Sequence, residues 1–219
     1  MTRPIADQEK RLAADAAAAL VEDGMLVGLG TGSTVAFLLP ALAARGLDLR
    51  CVATSPATAE AAGKVGLRVE PFAGIDALPR LDVAIDGADQ VAPSGWLVKG
   101  GGAAHTREKA VAAAADRFVV IVSSDKLVER LFPPVPLELL DFGLAGTLRR
   151  LGEVRLRDVP RSPDGGVIAD YTGDVDDPEE LATRLSATVG VVEHGLFPAS
   201  MVSDVVVARG ESVEIRSLR

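Results

Sequence analysis

The chain has 219 residues, 48% of them apolar and 25% charged, enough to bury one substantial core or two modest ones, which excludes a disordered chain. No run of about eighteen consecutive apolar residues occurs, and the stretch from Met1 to Lys10 has charges where a signal peptide needs its apolar segment, so the sequence predicts no membrane partner and a cytoplasmic protein. A formal charge of −8 with no basic cluster argues against nucleic acid as a partner, and one cysteine (Cys51) with two histidines (His105, His194) gives neither a disulfide framework nor a zinc site of the usual kind.

From residue 25 onward, short apolar runs alternate with alanine-rich helical stretches, the pattern of a mostly parallel sheet covered by helices. The spacing predicts a first helix over 7–21, with Asp7 as its N-cap and Gly24 beyond its end. Strands are expected over 25–29, 49–54, 68–72, 81–85 and 118–122, and helices over 35–44, 57–63 and 104–115. Phe132-Pro133-Pro134-Val135-Pro136 is a proline-rich joint, and a domain boundary is expected there. Beyond it come a strand over 136–140, a helix over 142–151 stopped by Gly152, and strands over 153–159 and 167–171 joined through Asp164-Gly165-Gly166. A helix over 178–188 and a strand over 191–193 complete the β-α-β-β-α-β order of a ferredoxin-like unit. The last strands, 202–208 and 213–215, flank Gly210 and fit either sheet. The expected fold is α/β. A Rossmann-like, mostly parallel sheet domain covers 1–131, completed by 200–219, and a smaller ferredoxin-like α+β domain over 132–199 is a candidate for oligomerisation.

In open α/β sheets a ligand sits outside the carboxyl ends of the strands, where helix N-termini point their amides outward. The loops there are Gly30-Thr31-Gly32-Ser33-Thr34, Thr54-Ser55-Pro56-Ala57-Thr58, Asp86-Gly87-Ala88-Asp89, Lys99-Gly100-Gly101-Gly102 and Ser123-Ser124-Asp125-Lys126. The first is a tight connection or a phosphate cradle. It lacks the Gly-Lys-Ser/Thr of a P-loop, and Ser33 stands where the dinucleotide fingerprint has glycine. Asp86 and Asp89 are close enough in sequence to serve one ligand, or they form an ordinary capped turn; two carboxylates without histidine would give at most a weak magnesium site. Three consecutive glycines after Lys99 are costly to order and suggest backbone brought close to a ligand. Glu108 falls early in the helix that follows, where a carboxylate favours the dipole; its plain alternative is a surface residue. Cys51 reads as core filler, and without a Gly-x-Ser-x-Gly elbow acyl transfer is disfavoured.

Taken in order, these motifs resemble the A-type ribose-5-phosphate isomerase family. The likeness is carried by Gly30-Thr31-Gly32-Ser33-Thr34, Thr54-Ser55 with Thr58, Asp86-Gly87-Ala88-Asp89, Lys99-Gly100-Gly101-Gly102-Ala103-Ala104, Thr106-Arg107-Glu108-Lys109 and Lys126. Gly190-Val191-Val192 and Gly195-Leu196-Phe197 extend it into the second domain, so it spans nearly the whole chain. The resemblance implies interconversion of D-ribose 5-phosphate and D-ribulose 5-phosphate without metal or organic cofactor. It implies Glu108 as the base that takes the C2 proton and returns it at C1 through an enediolate. Lys99 and the amides of Gly100, Gly101 and Gly102 are candidates to stabilise the developing oxyanion. Asp86 and Asp89, with Gly87 and Ala88, would bind sugar hydroxyls, one aspartate assisting ring opening. Ser33, Thr34, Lys126 and Lys10, beside Thr31 and Gly32, would hold the phosphate. The family also implies a homodimer or homotetramer.

Some positions depart from the family pattern. Gln90 follows Asp89 where glutamate is usual, His105 stands where a small or aliphatic residue is usual, and the 132–138 joint and the Asp164-Gly165-Gly166 turn are altered. Two rival readings stay open: a non-catalytic sugar-phosphate-binding or sensor paralogue that lost turnover through those changes, and an amino-sugar phosphate deaminase, for which a histidine acid for ring opening is missing.

Overall fold

The computed structural model describes residues 3–218. In chain order its first half runs α1 (Arg3–Ala18), β1 (Leu26–Leu29), α2 (Val35–Ala44), β2 (Arg50–Ala53), α3 (Pro56–Lys64), β3 (Arg68–Val69), β4 (Leu81–Asp86), β5 (Gln90–Val91), β6 (Leu97–Val98), α4 (His105–Ala113) and β7 (Ala115–Ser123). Then follow β8 (Val135–Leu139), α5 (Leu144–Leu151), β9 (Val154–Leu156), β10 (Val167–Tyr171), α6 (Pro178–Ala187), β11 (Val191–His194), β12 (Leu196–Phe197), β13 (Asp204–Arg209) and β14 (Ser212–Ser217). The elements fall into two compact units: Met1–Ala88, Arg107–Lys126 and Ser200–Arg219 form the first, Asp89–Thr106 and Leu127–Ala199 the second.

Among the described residues of the first unit, seven strands form one sheet in the order β14-β13-β7-β4-β1-β2-β3. All neighbours are parallel except the edge strand β14, antiparallel to β13. Parallel strands covered on both faces read as continuous apolar runs, as in Phe118 to Val122 of β7, which are all buried. One core joins Val27, Leu29, Cys51, Ile85, Ile121 and Val206 of the strands to Ala13, Ala14 and Ala17 of α1. The alanine enrichment of α1 therefore serves close helix-to-sheet packing. The strand order reverses between β1 and β4, the switch point at which α/β sheets open their ligand crevice. The last two strands, which fitted either sheet in sequence, complete this one.

Two expectations at the start of the chain need correction. Helix α1 begins at Arg3, four residues before the expected cap, and ends at Ala18. Pro4 falls in the first turn, where a missing N–H costs nothing. Asp7 is thus an interior helical residue, 3.6 Å from Lys10 one turn on, and caps nothing. The strand expected over 68–72 shrinks to the two residues of β3, because Pro71 has no N–H for a ladder.

In the second unit, β11-β8-β10-β9 is antiparallel throughout, which is the ferredoxin-like order. Its core gathers Leu137, Leu139, Ala169 and Tyr171 with Leu151 of α5 and Leu181 and Leu185 of α6. Asp177 caps α6, accepting from the Glu179 and Glu180 N–H groups, with Pro178 in the first turn. A second small sheet, β12-β6-β5, joins the 89–106 segment to this unit, Leu196 pairing with Val98 and Phe197 with Leu97.

Candidate active site

Because β1, β2, β4 and β7 are parallel, residues 30–34, 54–58, 86–88 and 123–126 leave the sheet at one edge. The β1 and β4 loops interlock there. Asp86 is 3% exposed, and its Oδ1 accepts from Thr31 N at 3.0 Å and Gly87 N at 2.7 Å. A Cβ at Gly30 would lie 2.0 Å from that carboxylate, so only glycine lets the two loops meet. Gly32 is needed for a different reason: its φ is +127° and no atom lies within 4 Å of a Cβ placed on it. The Thr31 hydroxyl sits among three others, 2.7 Å from Thr54 Oγ1, 2.9 Å from Ser55 Oγ and 3.1 Å from Thr58 Oγ1. Ser55 Oγ also caps α3 by accepting from Thr58 N. The adjacent Ser33 is exposed, and the Thr34 hydroxyl makes no capping bond to α2.

Glu108 is in the first turn of α4 and only 4% exposed, so the surface-residue reading falls. The helix is brought onto the sheet at Gly28, where a Cβ would come 2.5 Å from Val111 Cγ1. On the last loop, the Lys126 side chain is 36% exposed and 3.9 Å from Asp125, while that of Lys10 is 18% exposed. Both pairings are longer than a hydrogen bond. Glu9 organises this corner: Oε2 accepts from Ser124 N at 2.8 Å and Ser124 Oγ at 2.9 Å, and Oε1 from Gly210 N at 2.7 Å. Burial pushes the Glu9 carboxyl up, but the hydrogen bonds from Gly210 and Ser124 outweigh it and hold its pKa below the ordinary value.

In the second unit the β5–β6 ladder places Asp89 beside Lys99: Gln90 pairs with Val98, and Asp89 N donates to Val98 O at 2.8 Å. Asp86 and Asp89, grouped by sequence, thus belong to different units. Lys99 is 2% exposed; its N–H donates to Gly195 O at 2.8 Å, and its ammonium stands 5.5 Å from the centre of the Phe197 ring. The glycine run is held rather than flexible. Gly100 has φ +102°, and Gly101 N donates to Asp89 Oδ2 at 2.7 Å. Arg157 Nη1 donates to Gly100 O at 3.0 Å and Gly101 O at 3.3 Å. The backbone of Gly101 and Gly102 stays exposed.

Both departures in this region are packing residues. Gln90 is buried, and its amide both donates to Phe132 O at 2.8 Å and accepts from Phe132 N at 2.9 Å, which pins the proline-rich joint. His105 is fully buried, and its Nδ1 would lie 2.7 Å from a Cβ at Gly100. Sequence reasoning missed Gly28, Glu9 and Arg157. Gly28 had left a signal, since a glycine inside the apolar run of β1 marks close approach; a glutamate on a helix and an arginine after a strand leave none. Among the described residues, no three His, Cys, Asp or Glu side chains gather where they could hold a metal ion.

The model for ribose 5-phosphate isomerase A (phosphoriboisomerase A) matches residues 50–212. Ribose-5-phosphate isomerase A of Caulobacter vibrioides is 44% identical over 95% of this chain and 97% of its own. Among solved structures, ribose 5 phosphate isomerase A from Neisseria gonorrhoeae superposes with a TM-score of 0.91 at 31% identity, covering 98% of both chains. A D-ribose-5-phosphate isomerase in complex with phospho-erythronic acid does so with a TM-score of 0.86 at 34% identity, covering 95% of this chain and 97% of that one.

Proposed function

The chain belongs to the ribose 5-phosphate isomerase A family, and from that membership we propose that it interconverts D-ribose 5-phosphate and D-ribulose 5-phosphate in the non-oxidative pentose phosphate pathway, with Glu108 as base. The Glu108 carboxylate takes the proton from C2 of the open-chain aldose, the electron pair moves into a C1–C2 double bond, and O1 becomes the enediolate oxygen. The same carboxyl group returns the proton at C1 while the hydroxyl proton of O2 passes to O1, so C1 becomes a CH2OH group and the C2 oxygen becomes the ketone. Two protons move, one from C2 to C1 and one from O2 to O1, and no electrons are gained or lost, so the step needs no oxidant or reductant, and the scheme uses neither metal nor organic cofactor.

Each remaining group has one task in this scheme. Lys99 and the N–H groups of Gly100 and Gly102 stabilise the enediolate oxygen, an electrostatic effect strongest at groups already held in place, whereas the Gly101 N–H, expected to join them, is taken by Asp89 Oδ2. Asp86 and Asp89 bind sugar hydroxyls beside Gly87 and Ala88, and one of them assists ring opening. The turn Thr31-Gly32-Ser33-Thr34 with Lys126 and Lys10 receives the phosphate, where helix amides and ammonium groups suit a dianion. The relative in complex with phospho-erythronic acid, a phosphorylated sugar acid, supports a phosphorylated sugar as the ligand.

The single observation behind the base is the seating of Glu108: a carboxylate 4% exposed in the first turn of a helix fixed at Gly28. The test is conversion of ribose 5-phosphate by wild type and Glu108→Gln, with chelator present and folding checked. Loss of about 10²–10⁴-fold in the variant is expected; full activity in the variant sinks the role of Glu108. Tight binding with no turnover by folded wild type would move the protein to the sensor reading, which the family's named enzymes do not favour.

The same proposal puts the protein in the cytoplasm; no described helix is long and apolar enough to cross a membrane. It also gives the smaller domain the task of self-association into a homodimer or homotetramer. Phe142 and Val189 are 89% and 75% exposed on loops joined by the bond from Leu140 N to Gly190 O, an apolar surface suited to a partner. Light scattering on wild type and Phe142→Asp tests it: a monomeric wild type ends the idea.

A further inference from the structure

Glycine backbone cannot keep a direction unaided, yet the proposed chemistry asks the N–H group of Gly102 to point at a developing charge. In the second unit, the peptide joining Gly100 to Gly101 is gripped at both ends. Its C=O accepts from Arg157 Nη1 at 3.0 Å, and its N–H donates to Asp89 Oδ2 at 2.7 Å. The same Nη1 reaches the next carbonyl, Gly101 O, at 3.3 Å. In a planar trans peptide the C=O and N–H point in opposite directions. One guanidinium on two successive carbonyls therefore turns the N–H groups of Gly101 and Gly102 to the other side of the loop.

Arg157 is itself fixed. Its Nε donates to Asp170 Oδ2 at 2.9 Å and its Nη2 to Asp170 Oδ1 at 2.6 Å, a two-point pair with a carboxylate 4% exposed. Asp170 lies in β10, between β8 and β9, where Pro136 and Arg155 are its ladder partners. Nε and Nη2 thus anchor the fork to the sheet, while Nη1 is left for the glycine loop. Lysine, with one nitrogen on a flexible stem, cannot do both.

We propose that Arg157, held by Asp170, is a positioning residue for the isomerisation: through Gly101 O it sets the direction of the Gly102 N–H, which stabilises the enediolate oxygen, while the Gly101 N–H stays on Asp89 and holds the loop. This rests on the isomerase reading. The residue touches no reacting atom and acts through the loop alone.

The experiment compares full-length wild type, Arg157→Ala and Arg157→Lys, with folding checked by circular dichroism and melting. In both variants kcat is expected to fall about 10–100-fold while KM for ribose 5-phosphate stays within about threefold, the signature of an interaction realised in the transition state. Added guanidinium restores part of the activity of Arg157→Ala and does nothing for Arg157→Lys. Amide exchange at Gly101 and Gly102 quickens in Arg157→Ala. Unchanged kcat per folded molecule, with only a lower melting temperature, overturns the proposal, and so does a raised KM with kcat intact. Should Arg157→Ala fail to fold, the kcat and KM of Arg157→Lys decide. If wild type itself does not isomerise ribose 5-phosphate, the isomerase reading fails by that result. Unchanged exchange at the two glycines in Arg157→Ala would then separately remove the clamp.

Discussion

Gly30 and Asp86 compete for one volume: a Cβ on Gly30 would lie 2.0 Å from the Asp86 carboxylate, which accepts from Thr31 N and Gly87 N in that position. Gly30→Ala must therefore displace Asp86 or part the β1 and β4 loops. We expect it to lower stability by about 1–3 kcal/mol, as overpacking does, and to reduce kcat at least about tenfold. Gly32→Ala is the contrast, because it meets no neighbour: it costs backbone strain at φ +127° and, lying in the phosphate turn, acts on KM and not through Asp86. Melting curves and steady-state kinetics on both separate the two causes. Equal kcat losses would show that Asp86 is not what Gly30 protects.

How much of this was legible follows from the kind of signal each residue leaves. The large sheet was readable because doubly covered parallel strands such as β7 are continuous apolar runs, and β10 was found at its full extent, Val167–Tyr171. The two-residue strands β5, β6 and β12 have no period to detect, so the link between the 89–106 segment and the second unit could not be foreseen. Lys99 and its glycines stood out by composition, but Arg157, remote in sequence, holds them through backbone carbonyls that carry no residue-type signature. Glu108 was placed on its helix correctly, while the seating of that helix on the sheet rests on Gly28 against Val111, a contact between residues remote in sequence.

Gln90 supplies a second prediction. Its amide donates to Phe132 O and accepts from Phe132 N, a pairing that needs both a donor and an acceptor on one side chain. Gln90→Glu would set a carboxylate oxygen against the Phe132 carbonyl in a buried position. A stability loss of about 1–3 kcal/mol is expected, with kcat per folded molecule close to wild type. Chemical denaturation and activity titration check it; an unchanged midpoint would mean that the joint does not depend on this amide.

Cys51 offers a chemical check on the core of the first unit. Burial, with Glu70 adding a smaller push, raises its thiol to about 11, and its side chain is fully covered in β2. The thiolate is the reactive form, so the folded protein should resist alkylation near neutral pH and react with one equivalent after denaturation. Rapid labelling of the folded chain, followed by mass spectrometry, would contradict this packing.

Glu9 ties α1 to two loops, and its ionisation should be visible in stability. Burial raises the carboxyl and the hydrogen bonds from Gly210 and Ser124 lower it, with the lowering dominant, so the folded chain holds this proton less readily than the unfolded one. A depressed folded pKa stabilises above the unfolded value, near 4.5, and that contribution disappears as pH falls through the folded value. Glu9→Gln removes the charge and turns an amide donor toward the N–H groups of Ser124 or Gly210. At neutral pH the variant should be less stable by about 1–3 kcal/mol, and the gap should narrow as the pH drops below about 5. Because the Ser124 loop leads to Lys126 and α1 carries Lys10, KM for the phosphorylated sugar should rise in the variant while kcat changes less. Denaturation midpoints across the acid range, measured beside KM, test both parts. A stability gap independent of pH would mean that Glu9 bonds through its shape and not its charge.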